Sequence, residues 1–389
     1  LNVPNLRFPE FTEEWERCSL GHVTDFVKER ISTDKLTLAN YVSTENMKSD
    51  FGGINPAISI PNNTNVIHYK KGDVLLSNIR PYLRKVWAAN SDGGCSTDVF
   101  VFRAKSISPS FLHYIMANDT FINYVMSGAK GVKMPRGDKE QMLKYVFSIP
   151  RIEEQYKISR LLHLLDDRIA TQNKIIEKYE SLIQAICDTL IESGQPKVEL
   201  SFNDFGEPYS GLSGKSAEDF GKGWPYITYM NVYQNQIIDI TDVGLVKINE
   251  TEQQSVVRYG DILFTLSSET PDEVGMGAVY LGDIYPLYLN SFCFGVHITD
   301  ESKIYPPFLA YYISTKSFRK AVFPLAQGST RFNLQKSDFM KKKFLFPTVE
   351  EQNKIYSVLK AYSDKLSIEK NIANLLCEQK SYLLRQLFI

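Results

Sequence analysis

The sequence predicts an α/β (α+β) protein built from two tandem copies of one unit, each a globular domain followed by a long helix. Three observations support this fold class. The 389 residues exceed what one ordinary hydrophobic core supports, a segment near the middle of the chain recurs near its end, and each copy finishes in a heptad pattern of apolar residues. We expect the two helices to pair with each other as an antiparallel coiled coil.

The internal repeat is clearest at the motif Pro-x-x-Glu-Glu-Gln, which begins at Pro150 and again 197 residues later at Pro347. The same offset aligns residues upstream of the motif, including Tyr114 with Tyr311 and Gly131 with Gly328. Further upstream, Gly72 and Gly260 begin matching segments at an offset of 188, so insertions separate the two copies there. The pattern indicates a shared scaffold with divergent loops.

These matches predict four segments: domain 1 at residues 1–150, helix 1 at 151–195, domain 2 at 196–347 and helix 2 at 348–389. Short apolar runs such as 74–77, 99–102 and 262–265 are typical of strands, and 110–125 and 307–322 are typical of helices. Each proline of the repeated motif ends a strand, and the two glutamates that follow suit a helix N-terminus.

The two predicted helices each carry an apolar seam. Seam residues of the first are Ile158, Leu162, Leu165, Ile169, Ile176, Ile183 and Leu190, and those of the second include Ile355, Leu359, Leu366 and Leu387. The polar residues Gln172 and Glu369 occupy equivalent seam positions, which we interpret as a device that fixes register, and Lys380 should weaken the seam locally. A helix of ~40 residues is roughly 60 Å long, which exceeds the ~34 Å of one turn of B-DNA.

Composition excludes several classes of protein. Lys and Arg total 44 against 45 Asp and Glu, a formal net charge of -1, so any affinity for nucleic acid must come from local patches. The five cysteines lie far apart and form no Cys-x-x-Cys pair, which fits a reducing cytosol. We find no membrane span or signal peptide in the sequence and therefore expect a cytoplasmic protein.

Basic and polar residues concentrate on glycine-flanked turns. In domain 1 they are Asn78, Arg80, Tyr82, Arg84, Lys85, Lys130, Lys133 and Arg136, and in domain 2 they are Lys215, Ser216, Gln327, Ser329, Thr330, Arg331 and Asn333. Arg commonly contacts guanine, Asn and Gln contact adenine, and Lys contacts phosphates. Any one of them alone is as readily a solvated surface residue, but as clusters they predict contact with DNA.

The sequence offers no catalytic or metal-binding set. The five histidines are scattered without metal-ligand spacing, and no Gly-x-Gly-x-x-Gly loop could cradle a dinucleotide or S-adenosylmethionine. The loop ending in Lys215 and Ser216 has Tyr209 where a phosphate-binding loop needs glycine, so these two residues fit a DNA phosphate contact or a plain turn about equally well. Asp73 and Asp261 each follow a glycine and are better explained as turn residues than as catalytic carboxylates.

Taken together, two divergent domains, each followed by Pro-x-x-Glu-Glu-Gln and a heptad helix, resemble the specificity subunit of type I restriction-modification systems. The opening segment 6–11, the loop 211–216 and both helix starts contribute to the resemblance, which covers nearly the whole chain. It implies a non-catalytic protein in which each domain recognises one half of a split, asymmetric DNA target, with the helices as a spacer.

The resemblance also implies partners: double-stranded DNA, two methyltransferase (modification) subunits and two restriction motor-nuclease subunits. S-adenosylmethionine, ATP and Mg would then be held by those partners, and this chain would need no cofactor. The main alternative is a protein-interaction scaffold that does not bind DNA, in which the helices simply dimerise. Binding that is insensitive to salt would favour that alternative, and an enzyme with an unrecognised site is the weakest hypothesis.

Overall fold

The computed structural model describes residues 3–192 and 196–388. The chain divides into two compact units, of which unit 1 comprises Leu1–Asn173 and Ile372–Ile389, and unit 2 comprises Lys174–Asn371. Each unit therefore contains one globular domain and a portion of both long helices. The predicted boundary between residues 195 and 196, and the outer limits at 1 and 389, fall at residues outside the described part.

The described residues of unit 1 form ten strands that belong to three sheets. The strands are β1 (Glu16–Ser19), β2 (Thr24–Phe26), β3 (Arg30–Ser32), β4 (Tyr41–Val42), β5 (Asn65–Tyr69), β6 (Val74–Ser77), β7 (Val86–Ala88), β8 (Gly93–Cys95), β9 (Val99–Ala104) and β10 (Val146–Ile149). The sheets have the orders β2-β9-β6-β7, β3-β5-β8-β4 and β1-β10. All four residues of β6 are buried, which explains why Val74, Leu75 and Leu76 are consecutive apolar residues without the alternation of a half-exposed strand.

The helices that accompany these strands are α1 (Leu20–Val23), α2 (Pro109–Met116), α3 (Asp119–Ser127), α4 (Lys139–Leu143) and α5 (Ile152–Glu192). The helical stretch predicted for 110–125 is two helices, because Asn118 begins a new one by accepting a hydrogen bond from the amide of Thr120. The core of unit 1 lies between α2, α3 and the sheet β2-β9-β6-β7, around Phe102, Phe111 and Phe121.

Unit 2 repeats much of this plan, with twelve strands in the part from residue 196 onwards that the structure describes. The strands are β11 (Lys197–Ser201), β12 (Gly206–Ser210), β13 (Phe220–Ile227), β14 (Val243–Val246), β15 (Ile262–Thr265), β16 (Ser267–Ser268), β17 (Gly277–Val279), β18 (Tyr288–Leu289), β19 (Cys293–Ile298), β20 (Ala326–Gln327), β21 (Phe332–Leu334) and β22 (Lys343–Pro347). Its helices are α6 (Tyr229–Gln234), α7 (Pro306–Tyr312), α8 (Lys316–Val322), α9 (Lys336–Lys341) and α10 (Val349–Leu387).

The two units share one scaffold and differ in what is inserted into it. The sheet β12-β19-β15-β17 of unit 2 has the same order as β2-β9-β6-β7 of unit 1, and the pair β11-β22 corresponds to β1-β10. The inserted sheets differ, because unit 2 has β14-β13-β18 where unit 1 has β3-β5-β8-β4. The repeat offset changes later in the scaffold: it is 188 at the starts of β6 and β15, 191 at β7 and β17, 194 at β9 and β19, and 197 at α2 and α7, so short insertions in the connecting loops of unit 2 account for it.

In unit 1 the beginning of α5 packs against the end of α10. Ile158 and Leu162 lie in the same buried cluster as Leu384 and Leu387, and the side-chain Nδ2 of Asn118 donates to the carbonyl of Leu384 at 3.4 Å. Lys380 Nζ lies 2.6 Å from Asp166 Oδ1, so the lysine expected to weaken the seam has a charged partner across it.

In unit 2 the end of α5 packs against the beginning of α10. Ile183, Cys187 and Ile191 share a core with Ile355 and Leu359, and an ion pair of 2.7 Å joins Lys370 to Glu180. The start of α5 thus contacts the end of α10, and the end of α5 contacts the start of α10. The two helices therefore form an antiparallel coiled coil. The predicted fold class is confirmed.

Burial along the seam follows the geometry of a straight helix more closely than a strict heptad. Near the end of α5, Cys187 and Ile191 are buried while the expected seam residue Leu190 is half-buried, because 3.6 residues per turn drift relative to a repeat of 3.5. The predicted positions Ile169, Ile176 and Leu366 are likewise half-buried. Gln172 and Glu369 are only 9% and 8% exposed, and their role in fixing register stays a prediction.

Candidate nucleic-acid interface

The glutamine of each repeated motif fastens a long helix to its domain. The Gln155 side chain accepts a hydrogen bond from the amide of Ser108 at 2.9 Å and donates to the carbonyl of Pro150 at 2.9 Å. In unit 2, Gln352 accepts from the amide of Tyr305 at 2.7 Å and donates to the carbonyl of Pro347 at 2.8 Å. The motif is therefore a structural clamp that fixes where each helix leaves its domain.

The two basic turns of domain 1 are adjacent in space, although about fifty residues separate them in sequence. The backbones of Lys130 and Arg136 pair as an antiparallel bridge, and Arg136 also pairs with Ile79. The amide of Arg80 donates to the carbonyl of Pro135 at 2.8 Å. We name the segment 130–136 hairpin 1; it presents its tip beside the turn that carries Arg80.

The turn beside hairpin 1 has an unusual backbone. Arg80 and Arg84 both adopt the left-handed region, with φ values of 50° and 55°, on either side of a single 3-10 turn that begins at Pro81. This region is uncommon for residues other than glycine and is often found at functional sites. The conformation exposes Arg80 and leaves Tyr82 49% exposed.

Among the described residues, three of the six basic side chains in this area have acidic neighbours. Arg84 pairs with Asp50 and Asp119, and Lys130 Nζ lies 2.7 Å from Asp138. The Lys130 ammonium, through its hydrogen bond, lowers the pKa of the Asp138 carboxyl below its ordinary value. Such exposed pairs contribute little to stability, so they hold the side chains in place without preventing exchange for a phosphate.

Three further residues in the basic area differ in accessibility. Arg136 lies 3.5 Å from Asp98 and stays 56% exposed, and Lys133 at the hairpin tip is exposed without an ion pair among the described residues. Lys85, in contrast, donates to the carbonyl of Thr44 at 2.6 Å and is half-buried. Lys85 thus braces the turn, whereas Arg136 and Lys133 face solvent.

Asn78 lies beneath both turns. It is half-buried, its amide donates to the carbonyl of Asp98 at 2.8 Å, and its carbonyl accepts from the amide of Gly137 at 3.1 Å. Its backbone therefore joins the turn of Arg80 to the base of hairpin 1. These contacts give Asn78 a scaffold role, and its side chain is less accessible than those at the tip.

Unit 2 builds the same arrangement with other side chains. Gln327 pairs with Asn333, and Asn333 also pairs with Ser267, as Lys130, Arg136 and Ile79 do in unit 1. We name the segment 327–333 hairpin 2. Its side chains Gln327, Ser329, Thr330, Arg331 and Asn333 are all exposed.

A glycine shapes each tip. Gly131 and Gly328 have φ values of 98° and 131°, a region that L side chains rarely adopt. A Cβ at position 328 would lie 2.1 Å from the carbonyl oxygen of Arg331, and one at 131 would lie 3.3 Å from that of Met134. The aligned glycines are required by the hairpins, and the residues around them are free to differ.

Lys215 and Ser216 were predicted as DNA phosphate contacts or as turn residues, and the structure places both in internal bonds. The Lys215 side chain is only 5% exposed and is paired with Glu252, and its ammonium donates to the carbonyl of Lys247 at 2.6 Å. Ser216 donates to Asp219 at 2.9 Å in a capping box. These internal bonds favour the turn role for both residues over the contact with a DNA phosphate.

Asp73 and Asp261 act as turn residues. Asp73 accepts from the amide of Lys70 at 2.8 Å and forms a bidentate pair with Arg103. Asp261 accepts from the amide of Arg258 at 2.8 Å, but the arginine of Asp73 is replaced by other partners: His297 Nδ1 lies 2.9 Å from one carboxylate oxygen, and the Tyr209 hydroxyl donates to the other at 2.8 Å. Within residues 3–192 and 196–388, no group of His, Cys, Asp and Glu is arranged to hold a metal.

The sequence did not reveal the segment that pairs with the second strand of each hairpin, which contains Ile79 in unit 1 and Ser267 in unit 2. Ser267 and Ser268 in unit 2 correspond to Ile79 and Arg80 in unit 1 at the offset of 188, which was available from the sequence. Nor did it reveal Phe292, over whose ring the Arg331 guanidinium lies at 5.9 Å from the centroid. Phe292 is 56% exposed and precedes β19, so an aromatic residue forms part of the surface beside hairpin 2.

The repeated scaffold corresponds to a known protein family. A family model described as the type I restriction modification DNA specificity domain matches residues 12–181 and again residues 210–378. The chain belongs to this specificity family. The two matches lie one in each copy of the repeat, so each copy is one specificity domain.

Individual relatives of this chain are also specificity subunits. The type I restriction enzyme MjaVIII specificity subunit of Methanocaldococcus jannaschii is 22% identical over 94% of this chain and 89% of its own length. The type I restriction-modification S subunit of M. genitalium covers 100% of this chain and 99% of its own, at 17% identity and a TM-score of 0.57.

A chain in a structure of type I R-M complex assembly and conformational transition also reaches a TM-score of 0.57, at 18% identity, with 95% of this chain and 96% of that one covered. At such low identity these two structures show that the fold is shared. None of the described helices of this chain is both long enough and apolar enough to cross a membrane.

Proposed function

We propose that this chain is the DNA sequence-recognition subunit of a type I restriction-modification complex and that it recognises a bipartite, asymmetric target, one half-site per domain. The observation that carries the proposal is the pair of hairpins. Their backbones make the same bridges, whereas their exposed side chains differ in every position that could contact a base. Two equivalent scaffolds with different side chains suit two different half-sites.

The hairpin chemistry fits DNA. Hairpin 1 and its neighbouring turn expose Arg80, Lys133 and Arg136, which can contact phosphates or guanine. Hairpin 2 exposes Gln327 and Asn333, whose amides suit adenine. The formal net charge of -1 means that these local clusters, and not the whole chain, would supply the attraction to DNA.

The antiparallel helices would set the spacing between half-sites, and would also contact the partner subunits. We propose two methyltransferase subunits and two restriction motor-nuclease subunits as those partners, with S-adenosylmethionine, ATP and Mg bound by them. The chain itself would be non-catalytic and would work in the cytoplasm. Its contribution to the reaction is to choose the site.

Mapping of methylated positions by long-read sequencing tests this function. DNA would be compared between cells that express the chain with its neighbouring methyltransferase and cells that lack only the chain. We expect a split adenine-methylation motif that disappears without the chain. Unchanged methylation would contradict the proposal, and purified protein whose interactions do not weaken with salt would favour a protein scaffold, because phosphate contacts make log affinity fall linearly with log salt.

A further inference from the structure

We propose that one equivalent position in the two hairpins determines a base in each half-site: Arg136 selects a guanine in the half-site of domain 1, and Asn333 selects an adenine in the half-site of domain 2. The inference rests on the proposed function and adds the residues and bases to it. It follows from the position of both residues in the ladders, from their exposure and from their chemistry.

The two residues occupy the centre of equivalent three-stranded ladders. Arg136 is flanked by Lys130 on one side and Ile79 on the other, and Asn333 is flanked by Gln327 and Ser267. The amide and carbonyl of Arg136 both bond to Lys130 at 2.9 Å. With the backbone groups used in the ladder, the side chain is the part of the residue left to contact a ligand.

The scaffold fixes the two side chains at corresponding backbone positions. The carbonyl of Asn78 accepts from the residue after Arg136, and the carbonyl of Leu266 accepts from the residue after Asn333 at 2.8 Å. Each hairpin also has the positive-φ glycine five residues before the central residue. A difference in base preference between the domains would therefore come from side-chain identity and not from a different loop shape.

Both side chains are accessible. The Arg136 side chain is 56% exposed, and its separation of 3.5 Å from Asp98 is loose for a charged pair, so its guanidinium can exchange that partner at little cost. Asn333 is exposed, and its side-chain amide has no hydrogen-bond partner in the part of the chain that the structure describes. Lys130 is closer to its partner Asp138, at 2.7 Å, which favours a positioning role for that lysine.

The chemistry of the two side chains selects different bases. A guanidinium offers two parallel donors that match O6 and N7 of guanine, whereas a carboxamide offers one donor and one acceptor that match N7 and N6 of adenine. Exchanging the two residues should therefore exchange one base of the target between half-sites.

The test is a reciprocal substitution in the full chain, expressed with its methyltransferase partner. Arg136→Asn should remove the preference for guanine at one position of the first half-site and leave the second half-site unchanged, and Asn333→Arg should replace adenine by guanine in the second half-site alone. The preference at the altered position should change by roughly 5- to 150-fold, as expected for one bidentate contact. The unaltered half-site reports that the variant is folded and assembled.

Arg17→Asn is the matched control, since Arg17 is an exposed arginine on β1 of the same domain without a side-chain partner among the described residues; it should leave both half-sites unchanged. Unchanged half-sites in both hairpin variants would overturn the assignment while leaving DNA recognition by the chain intact. If the wild-type chain produced no methylation motif that depends on it, the proposed function would be wrong, and the base assignment would fail with it.

Discussion

Gln352 offers the sharpest test of how the long helices are fastened. It is fully buried and holds the amide of Tyr305 and the carbonyl of Pro347, both in unit 2. Gln352→Ala would leave one donor and one acceptor without partners, each costing about 1–3 kcal/mol. Because the Tyr305 side of the contact is only partly buried, we expect the free energy of unfolding of unit 2 to fall by about 2–4 kcal/mol.

Urea denaturation of the full chain measures this loss. With an m value of ~2 kcal/mol/M, the midpoint should fall by roughly 1–2 M, and Trp224 reports the transition of unit 2 while Trp15 and Trp87 lie in unit 1. Hydrogen exchange at the Tyr305 amide should accelerate as well. Asn353→Ala is the control, since its exposed amide only bonds within α10. A loss below about 1 kcal/mol, with Tyr305 still protected, would refute the clamp.

Three further predictions follow from charged and titratable groups. Lys133→Ala should reduce the salt dependence of DNA binding by about one phosphate contact, whereas Lys215→Met should leave the salt slope unchanged in the same titration and lower stability. Arg7→Ala should destabilise unit 1 by about 3 kcal/mol in thermal unfolding, because Glu154, 1% exposed, would lose its bidentate partner at 2.8 Å. Burial lowers the pKa of His113 to about 4, so stability should fall by at most about 3 kcal/mol as pH drops from 6.5 to 4; His113→Gln should abolish that slope.

The fold was largely predictable because its signals are local or periodic. Pro150 and Pro347 mark the strand ends, the glutamates after them suit helix starts, and the observed helices begin at Ile152 and Val349. The apolar seams predicted that α5 and α10 pair with each other. The drift of burial to Cys187 was not visible, because a heptad template assumes supercoiling along the whole helix.

The candidate site was less predictable, since it depends on long-range pairing. Composition drew attention to both hairpins, but it could not show that Ile79 pairs with Arg136, a backbone contact that carries no residue preference. Nor could it show that Lys215 forms an ion pair with Glu252, because two partners that lie 37 residues apart produce no local pattern in the sequence. Exposure separates a lysine that can contact DNA from one that supports a turn.

The division of α10 between the units has a consequence for synthesis on the ribosome. Leu384 and Leu387 are part of the core that contains Phe111 and Phe121, so unit 1 cannot complete its core until residues 372–387 have been made. At about 5–20 residues per second, the earlier part of unit 1 waits on the order of ten to forty seconds for its last helical portion. The half of the protein that is translated first is the half that finishes folding last.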